Sequence, residues 1–535
     1  MQRALADLKR ATRAIALALV AVSTSLSWAA HRCVACHPRE VGGYAATAMA
    51  HSLGSPRELP AGDFVHSFSK TRFSARWNGT RLVQKLERNG VGSDHEIAYV
   101  IGSGNHAIGF LTKVGDHLFQ SPIAWYTKRG IWDVAPGYEN ASAPDFNRAV
   151  TPECLFCHAG RARPVRGTLN RYAVPPFQAE AITCERCHGP AEAHLRNPVP
   201  GSIINPTKLS FRARDSVCEQ CHLSGMARIP NPGNQIDDFR PGEELEDVFS
   251  VYLFESSHDP SRANPLKVIS QAQQLALSTC ARQSHGKLWC GSCHDPHEKP
   301  ANPRTYFKAR CVACHASELA RHQKPADDCI GCHMPARPAR DGGHTAFTDH
   351  HISRRPTSET ALDNAPERLV AWHEPPAAFM KRNLGLADIE VGRQLKSTPH
   401  MLEALRLLTA CKRDFPYDPA ISTGIGMVLL GMKRNSDAAA SFARASQVEP
   451  GVASHYLDQG FAWKAANERQ KAIEIFEKAL QLDPLLETAY RELAGLYSKR
   501  GSPAKARDTW MRCLRAFPGS VEAQMAVRST AAMRP

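Results

Sequence analysis

Cysteine and histidine recur along this chain in one fixed order. The units CVACH (33–37), CLFCH (154–158), CERCH (184–188), CEQCH (218–222), CGSCH (290–294), CVACH (311–315) and CIGCH (329–333) each place two thiols three positions apart, with an imidazole directly after the second. On one helical turn, positions i, i+3 and i+4 share a face. Two thiols so placed can bond the two vinyl groups of one porphyrin, and the next histidine then lies beneath the iron. The spacing predicts haem attachment at Cys33, Cys36, Cys154, Cys157, Cys184, Cys187, Cys218, Cys221, Cys290, Cys293, Cys311, Cys314, Cys329 and Cys332. It predicts proximal iron ligation by His37, His158, His188, His222, His294, His315 and His333. Seven units imply seven covalently attached haem c groups. Zinc ribbons also use C-x-x-C pairs, but a structural zinc site demands no histidine at this fixed place. A disulfide framework would not put fourteen of 17 cysteines into such pairs.

Electron-transfer haems usually carry a second axial ligand, and histidine is the natural choice among the remaining ones. His51 in AMAHSL, His194 closing CHGPAEAH, His297 closing CHDPH, and His285, His344 and His350 are candidate distal ligands, with His258 and His322 in reserve. A histidine just beyond a proximal one is badly placed for its own iron and well placed for a neighbouring one. His106 and His117 read as strand residues, His400 and His455 as surface residues, and Met334 as packing. Cys280 lacks a partner at C-x-x-C spacing and reads as a buried packing thiol.

The elements that must position these residues differ in texture. Between the first two units, Phe73, Ala75 and Trp77, then Leu82, Gln84 and Leu86, alternate around Asn78-Gly79, a hairpin signal repeated at Asn89-Gly90. Residues 63–127 are expected to form an antiparallel meander of about five or six strands inside an insertion at 63–150. The first haem segment is placed at 30–62 and the multihaem core at 151–352, with short helical pieces between Pro- and Gly-rich joints. After a linker at 353–384, Pro416, Pro450, Pro484 and Pro518 are spaced by 34 residues, as are Gly392, Gly426, Gly460 and Ala494. That is the tetratricopeptide period, and it predicts four repeats over 385–520 with a capping helix and tail at 521–535. Cys411 and Cys513 fall in a small, buried slot of the repeat. The fold class expected is mainly α, with a small β insertion and an all-α C-terminal solenoid.

Arg3, Lys9, Arg10 and Arg13 precede an apolar run from Ala14 to Ala30, and Ser27-Trp28-Ala29 resembles a signal peptidase site. A leader at 1–29 is expected, and no later segment approaches a membrane span. The mature chain is therefore expected to be exported, to the periplasm or cell surface. A formal net charge of +14 over 535 residues would suit an anionic partner. Propionates from seven haems, about fourteen negative charges, offset it, and nucleic-acid binding is not expected.

CERCHGPAEAH, NPTKLS, SVCEQCHLSG, LSTCARQS, LWCGSCHDPH, CIGCHMP and FTDHHI, with GSGNHAIGFL and WDVAPGY, resemble the multihaem cytochrome c superfamily, in the branch joining doubled C-x-x-C-H domains to tetratricopeptide repeats. The resemblance implies bis-histidine haems packed in a chain, with His194, His297 and His350 at ligand positions. It implies electron transfer to a redox protein partner, with the concave repeats as docking surface. The alternative is an oxidoreductase converting a small nitrogen or sulfur oxyanion at one open-site haem.

Overall fold

The computed structural model describes residues 32–259, 266–320, 322, 328–354 and 367–532. The expected leader and part of the expected linker lie outside them. No helix among the described residues is long and apolar enough to cross a membrane.

The insertion folds as strands because its apolar residues alternate. β1 (Leu53–Gly54), β2 (Gly62–Val65), β3 (Arg72–Asn78), β4 (Arg81–Arg88), β5 (Val91–Glu96) and β6 (Tyr99–Ile101) are followed by β7 (Gly109–Val114), β8 (His117–Gln120), β9 (Ile123–Tyr126), β10 (Ile131–Val134) and β11 (Arg148–Ala149). Phe73, Ala75, Leu82, Gln84 and Leu86 point inward, and the Asn89-Gly90 turn takes positive φ at both residues, as a tight hairpin requires. The expected single meander is instead two sheets and a hairpin. β2 to β5 form one antiparallel sheet in sequence order, β1-β6-β7-β8-β11 form a second, and β9 pairs with β10. The chain changes sheet at Ile97, whose N–H donates to Leu82 while the next N–H, from Ala98, donates to Leu111. Burying both apolar faces against one core of Phe73, Leu86, Phe110, Ile123 and Trp132 favours this crossing over one wide sheet.

The repeat region consists of antiparallel helix pairs: α7 (Met380–Leu395) with α8 (Thr398–Cys411), α9 (Pro419–Gly431) with α10 (Asn435–Val448), α11 (Ala453–Ala465) with α12 (Arg469–Leu482), and α13 (Glu487–Lys499) with α14 (Pro503–Ala516). α15 (Val521–Ala532) follows. Small residues at the 34-residue period let the paired helices close. A Cβ on Gly426 would stand 2.7 Å from the Phe442 ring, and one on Gly460 2.6 Å from Phe476. Cys411 and Cys513 are buried. His400 and His455, read as surface residues, are buried as well, because Asp388 and Glu449 supply hydrogen-bond partners at 2.7 and 3.0 Å that offset burial of the rings.

The expected linker does not end as a linker. Leu369–Ala371 pairs with Phe249–Phe254, which pairs in turn with Ala227–Pro230, and α7 packs its Ala387 and Val391 on this sheet. Asn383 donates to Asn231 and Ser250 at 2.7 and 3.0 Å across the same contact. At its other end the repeat arc grips the β insertion. Phe119 meets Phe517 edge-to-face at 5.5 Å, Val521 of α15 enters the β core, and Asn147 donates to Glu487 at 2.6 Å.

Candidate functional site

Between these supports lies a cavity of about 4330 Å³. Sites for one drug-sized ligand run about 300–1,000 Å³, so this space accommodates several larger groups. The proximal candidates His37, His158, His188, His222, His294, His315 and His333 all line it, as do all the motif cysteines except Cys314. The later units start or lie on α1 (Pro152–Phe156), α2 (Glu185–His188), α3 (Phe211–His222), α4 (Cys290–Cys293), α5 (Pro303–Ala320) and α6 (Cys329–His333). The local reason is one helical turn: the N–H groups of His37, His188 and His294 donate to the carbonyls of Cys33, Cys184 and Cys290 at 2.9 Å. The turn brings both thiols and the ring to one face.

Six imidazoles of the cavity are oriented in one way. Nδ1 of His188 donates to the Ile204 carbonyl at 2.8 Å, Nδ1 of His333 to Ser353 at 2.8 Å, and Nδ1 of His350 to Thr348 at 3.1 Å. Nδ1 of His222 meets the Gln271 side-chain oxygen at 3.3 Å, and that of His297 meets an Asp295 carboxylate oxygen at 3.1 Å. Nδ1 of His194 lies 2.8 Å from the Ser202 hydroxyl, which itself donates to Val199 and so accepts from the ring. A carbonyl can only accept, so the proton sits on Nδ1 and Nε2 keeps its lone pair. That is the arrangement by which proteins aim histidine at a metal. Burial lowers the pKa of His158, His188, His222, His294 and His350, which favours the neutral, metal-binding form.

Four proximal candidates face a second ring. His37 and His194 have centroids 6.4 Å apart, His188 and His297 5.9 Å, His294 and His350 6.1 Å, and His333 and His322 6.3 Å. An imidazole bonded to a metal at about 2.0–2.1 Å holds its centroid roughly 3 Å from it, so two rings on one metal stand about 6 Å apart. These separations match. They are wider than the 3.8 Å at which the His95 and Phe146 rings stack face to face.

The structure thus brings His194, His297 and His350 opposite proximal candidates, together with His322, which ranked only as a reserve. The remaining distal candidates stand elsewhere. His344 uses Nε2 itself to bind Asp133 at 2.8 Å and sets its ring edge on Tyr126. His51 is exposed in the turn Met49–His51, and His285 is exposed with positive φ, ahead of Gly286. His258 stacks on Trp372 at 5.9 Å. His106, read as a strand residue, sits on the loop before β7 and lines the cavity, 4.1 Å from Phe347, with its Nδ1 buried and unpartnered. Its sequence neighbourhood carried no cysteine to mark it.

Thiols of different units adjoin one another: Cys33 with Cys184, Cys157 with Cys221, Cys218 with Cys290, and Cys311 with Cys329. Cys187 lies near Cys218, and Cys293 near Cys311. No two of them are joined as a disulfide, and among the described residues no three metal-binding side chains converge, so the C-x-x-C pairs do not close into zinc cages. Cys280 lines the same cavity near Cys293 and Cys311. Buried Nε atoms of Arg186 and Arg228 on the cavity wall have no partner, a setting that suits an anionic substituent such as a haem propionate. The residues present fit haem.

A family model described as cytochrome c554 and c-prime matches residues 136–189, which contain the second and third units. A comparison with curated proteins finds no match. Among solved structures, the crystal structure of MamA is 20% identical over 26% of this chain and 83% of that chain, with a TM-score of 0.24. MamA 41-end from Desulfovibrio magneticus RS-1 is 20% identical over 27% and 81%, with a TM-score of 0.24. TTC0263, a thermophilic TPR protein in Thermus thermophilus, is 18% identical over 28% and 81%, also with a TM-score of 0.24. The matched family model supports a c-type cytochrome with covalently bound haem, and the paired helices from Met380 onward form a helical repeat of tetratricopeptide type.

Proposed function

We propose that this chain is an exported, periplasmic or cell-surface heptahaem c-type cytochrome of the doubled C-x-x-C-H type, which relays electrons to a redox protein partner. The observation that carries the reading is the set of four opposed imidazole pairs at 5.9–6.4 Å. Haem supplies one-electron Fe(III)/Fe(II) chemistry when bound. The chain's own part is to hold His188, His194, His222, His297, His333 and His350 by Nδ1, so that Nε2 is left for the iron. Contacts between thiols of neighbouring units order a relay from the first unit through the third, fourth and fifth to the sixth and seventh, with the second beside the fourth.

In this reading residues 30–62 and 151–352 carry the cofactors, 63–150 is a β insertion, and the repeats at 385–520 are the docking scaffold for the redox partner. Their ends are already engaged by the rest of the chain. Mass spectrometry of the mature protein should give seven covalent haems on the cysteines of the seven units. Fewer would overturn the count.

One observation favours a second reading, an oxidoreductase acting on a small nitrogen or sulfur oxyanion. His106 carries its unpartnered Nδ1 on a loop that begins at Gly102, whose N–H donates to the Ser52 carbonyl, and the Ser52 backbone also holds the His158 ring. Among the described residues His158, like His222 and His315, has no ring opposite it. Electron paramagnetic resonance of the ferric protein separates the two: a high-spin signal that responds to nitrite or cyanide supports the second reading, and low-spin signals that ignore both support the relay.

A further inference from the structure

His106 is built the opposite way round from the ligating histidines of the cavity. His188, His333 and His350 hand the Nδ1 proton to a backbone carbonyl and keep a lone pair on Nε2. The Nδ1 of His106 is buried without a partner, and among the described residues no hydrogen bond occupies its Nε2. A neutral imidazole carries one proton. On Nδ1 that proton would be a buried donor with no acceptor, a rare and costly fault in folded proteins. It therefore belongs on Nε2, so His106 offers the cavity an N–H where the other rings offer a lone pair. Burial, and then the charge of Lys128, lower the pKa of the ring and favour this neutral form.

The loop fixes the ring. Gly102 and Gly104 take positive φ, at 101° and 86°, and turn the chain between Ile101 and Gly109. The Gly102 N–H donates to the Ser52 carbonyl at 2.7 Å and the Thr127 N–H to the His106 carbonyl at 3.0 Å. Ile108 exchanges both backbone hydrogen bonds with Trp125, at 2.8 and 2.9 Å. Phe347, on the strand Ala346–Thr348, stacks on the His106 face with centroids 4.1 Å apart and planes at 29°. Ser103, Asn105 and His106 line the cavity together. The charge that bears on the ring is the Lys128 ammonium, so the donor sits in a positive field.

We propose that Nε2–H of His106 is the donor of an anion subsite in the cavity, with Lys128 supplying charge and the Asn105 amide beside it. Its ligand is an anionic oxygen, carried by a free nitrogen or sulfur oxyanion or by a haem propionate. The free oxyanion deepens the oxidoreductase reading above and rests on it, whereas the propionate does not. A hydrogen bond to a charged oxygen is among the strong ones, so its loss is measurable.

The test uses the haem-loaded full chain and its H106L, H106Q and K128E variants. Leucine keeps bulk against Phe347 without a donor, glutamine restores an N–H near the place of Nε2, and Lys128 is exposed, so K128E leaves the packing intact. Nitrite and sulfite are titrated into the ferric proteins and read by visible absorbance, and spectroelectrochemistry reads the midpoint potentials. With a free oxyanion in the subsite, affinity should fall about tenfold to hundredfold in H106L and about threefold in K128E, and H106Q should return to within about threefold of wild type. The potentials should then stay where they are. With a propionate there, anion affinity should not change, while one potential falls in H106L and K128E and recovers in H106Q, because a carboxylate without its donor favours ferric iron. H106L equal to wild type in both measurements, or H106Q behaving as H106L, would overturn the subsite, and nitrite or sulfite binding by wild type would still leave the oxidoreductase reading standing. A wild type that binds neither anion but shows the shift in potential would overturn that reading and keep the subsite.

Discussion

An imidazole has two nitrogens, and whatever binds the first decides what the second can do. His188, His333 and His350 give Nδ1 to a backbone carbonyl and hold Nε2 free, whereas His344 spends Nε2 on Asp133. This distinction separates rings whose Nε2 is free to bind from a neighbour of identical type whose Nε2 is taken. Replacing His322 with alanine should convert one low-spin ferric signal per molecule to high-spin, because His333 then loses its opposite ring. Replacing His344 should leave every signal unchanged, and electron paramagnetic resonance on both variants checks this. The seven units could be singled out in the sequence because two thioether bonds and one ligand would have to come from five successive positions of the chain. His194 and His297, whose rings stand opposite His37 and His188, could be singled out because each trails a unit closely. His344 misled because Asp133, 211 positions away, captures it through a contact no local pattern records.

At the scale of elements, short segments aim the rings. His194 stands on the five-residue helix Glu192–Arg196, and the chain then turns back so that Ser202 meets its Nδ1. An accepted hydrogen bond from a ligating imidazole raises its basicity and favours ferric iron. Ser202→Ala should therefore raise one midpoint potential by about 20–60 mV, the equivalent of a hydrogen bond of about 0.5–1.5 kcal/mol for one electron. Spectroelectrochemical titration of wild type and variant reads the shift. The helix pairs were legible because a close approach at Gly426 and Gly460 recurs with the repeat. The two-sheet form of the insertion was not. Alternation marks which residues face inward, but only the packing of both faces on one core fixes where the strand must change sheet, at Ile97.

For the whole molecule, the joint between insertion and repeats is ionisable. Asp145 is buried beside Glu487 and Arg88, and its carboxyl is pushed up to about 7, first by burial and then by the Glu487 charge. An acid whose folded pKa lies above the unfolded value of about 3.9 keeps its proton longer when folded. Its stabilising contribution is complete at low pH and is lost as pH rises from about 4 through about 7. Asp145→Asn should remove this dependence and stabilise the protein at pH 8 by an amount on the order of 1–4 kcal/mol, read by urea unfolding across the window. The joint itself was not legible, because Phe119 and Phe517 look like ordinary members of a strand and a helix until they meet. Being fastened at both ends also gives the repeat arc a fixed span. A free solenoid gains or loses a unit at little cost, since each repeat answers only to its neighbours. Here one added or deleted unit would carry α15 away from the core that holds Val521, while α7 stayed on its sheet. The number of repeats is therefore a dimension of the molecule, set by the distance between its two moorings, and descendants of this chain can vary the faces of the repeats far more freely than their count.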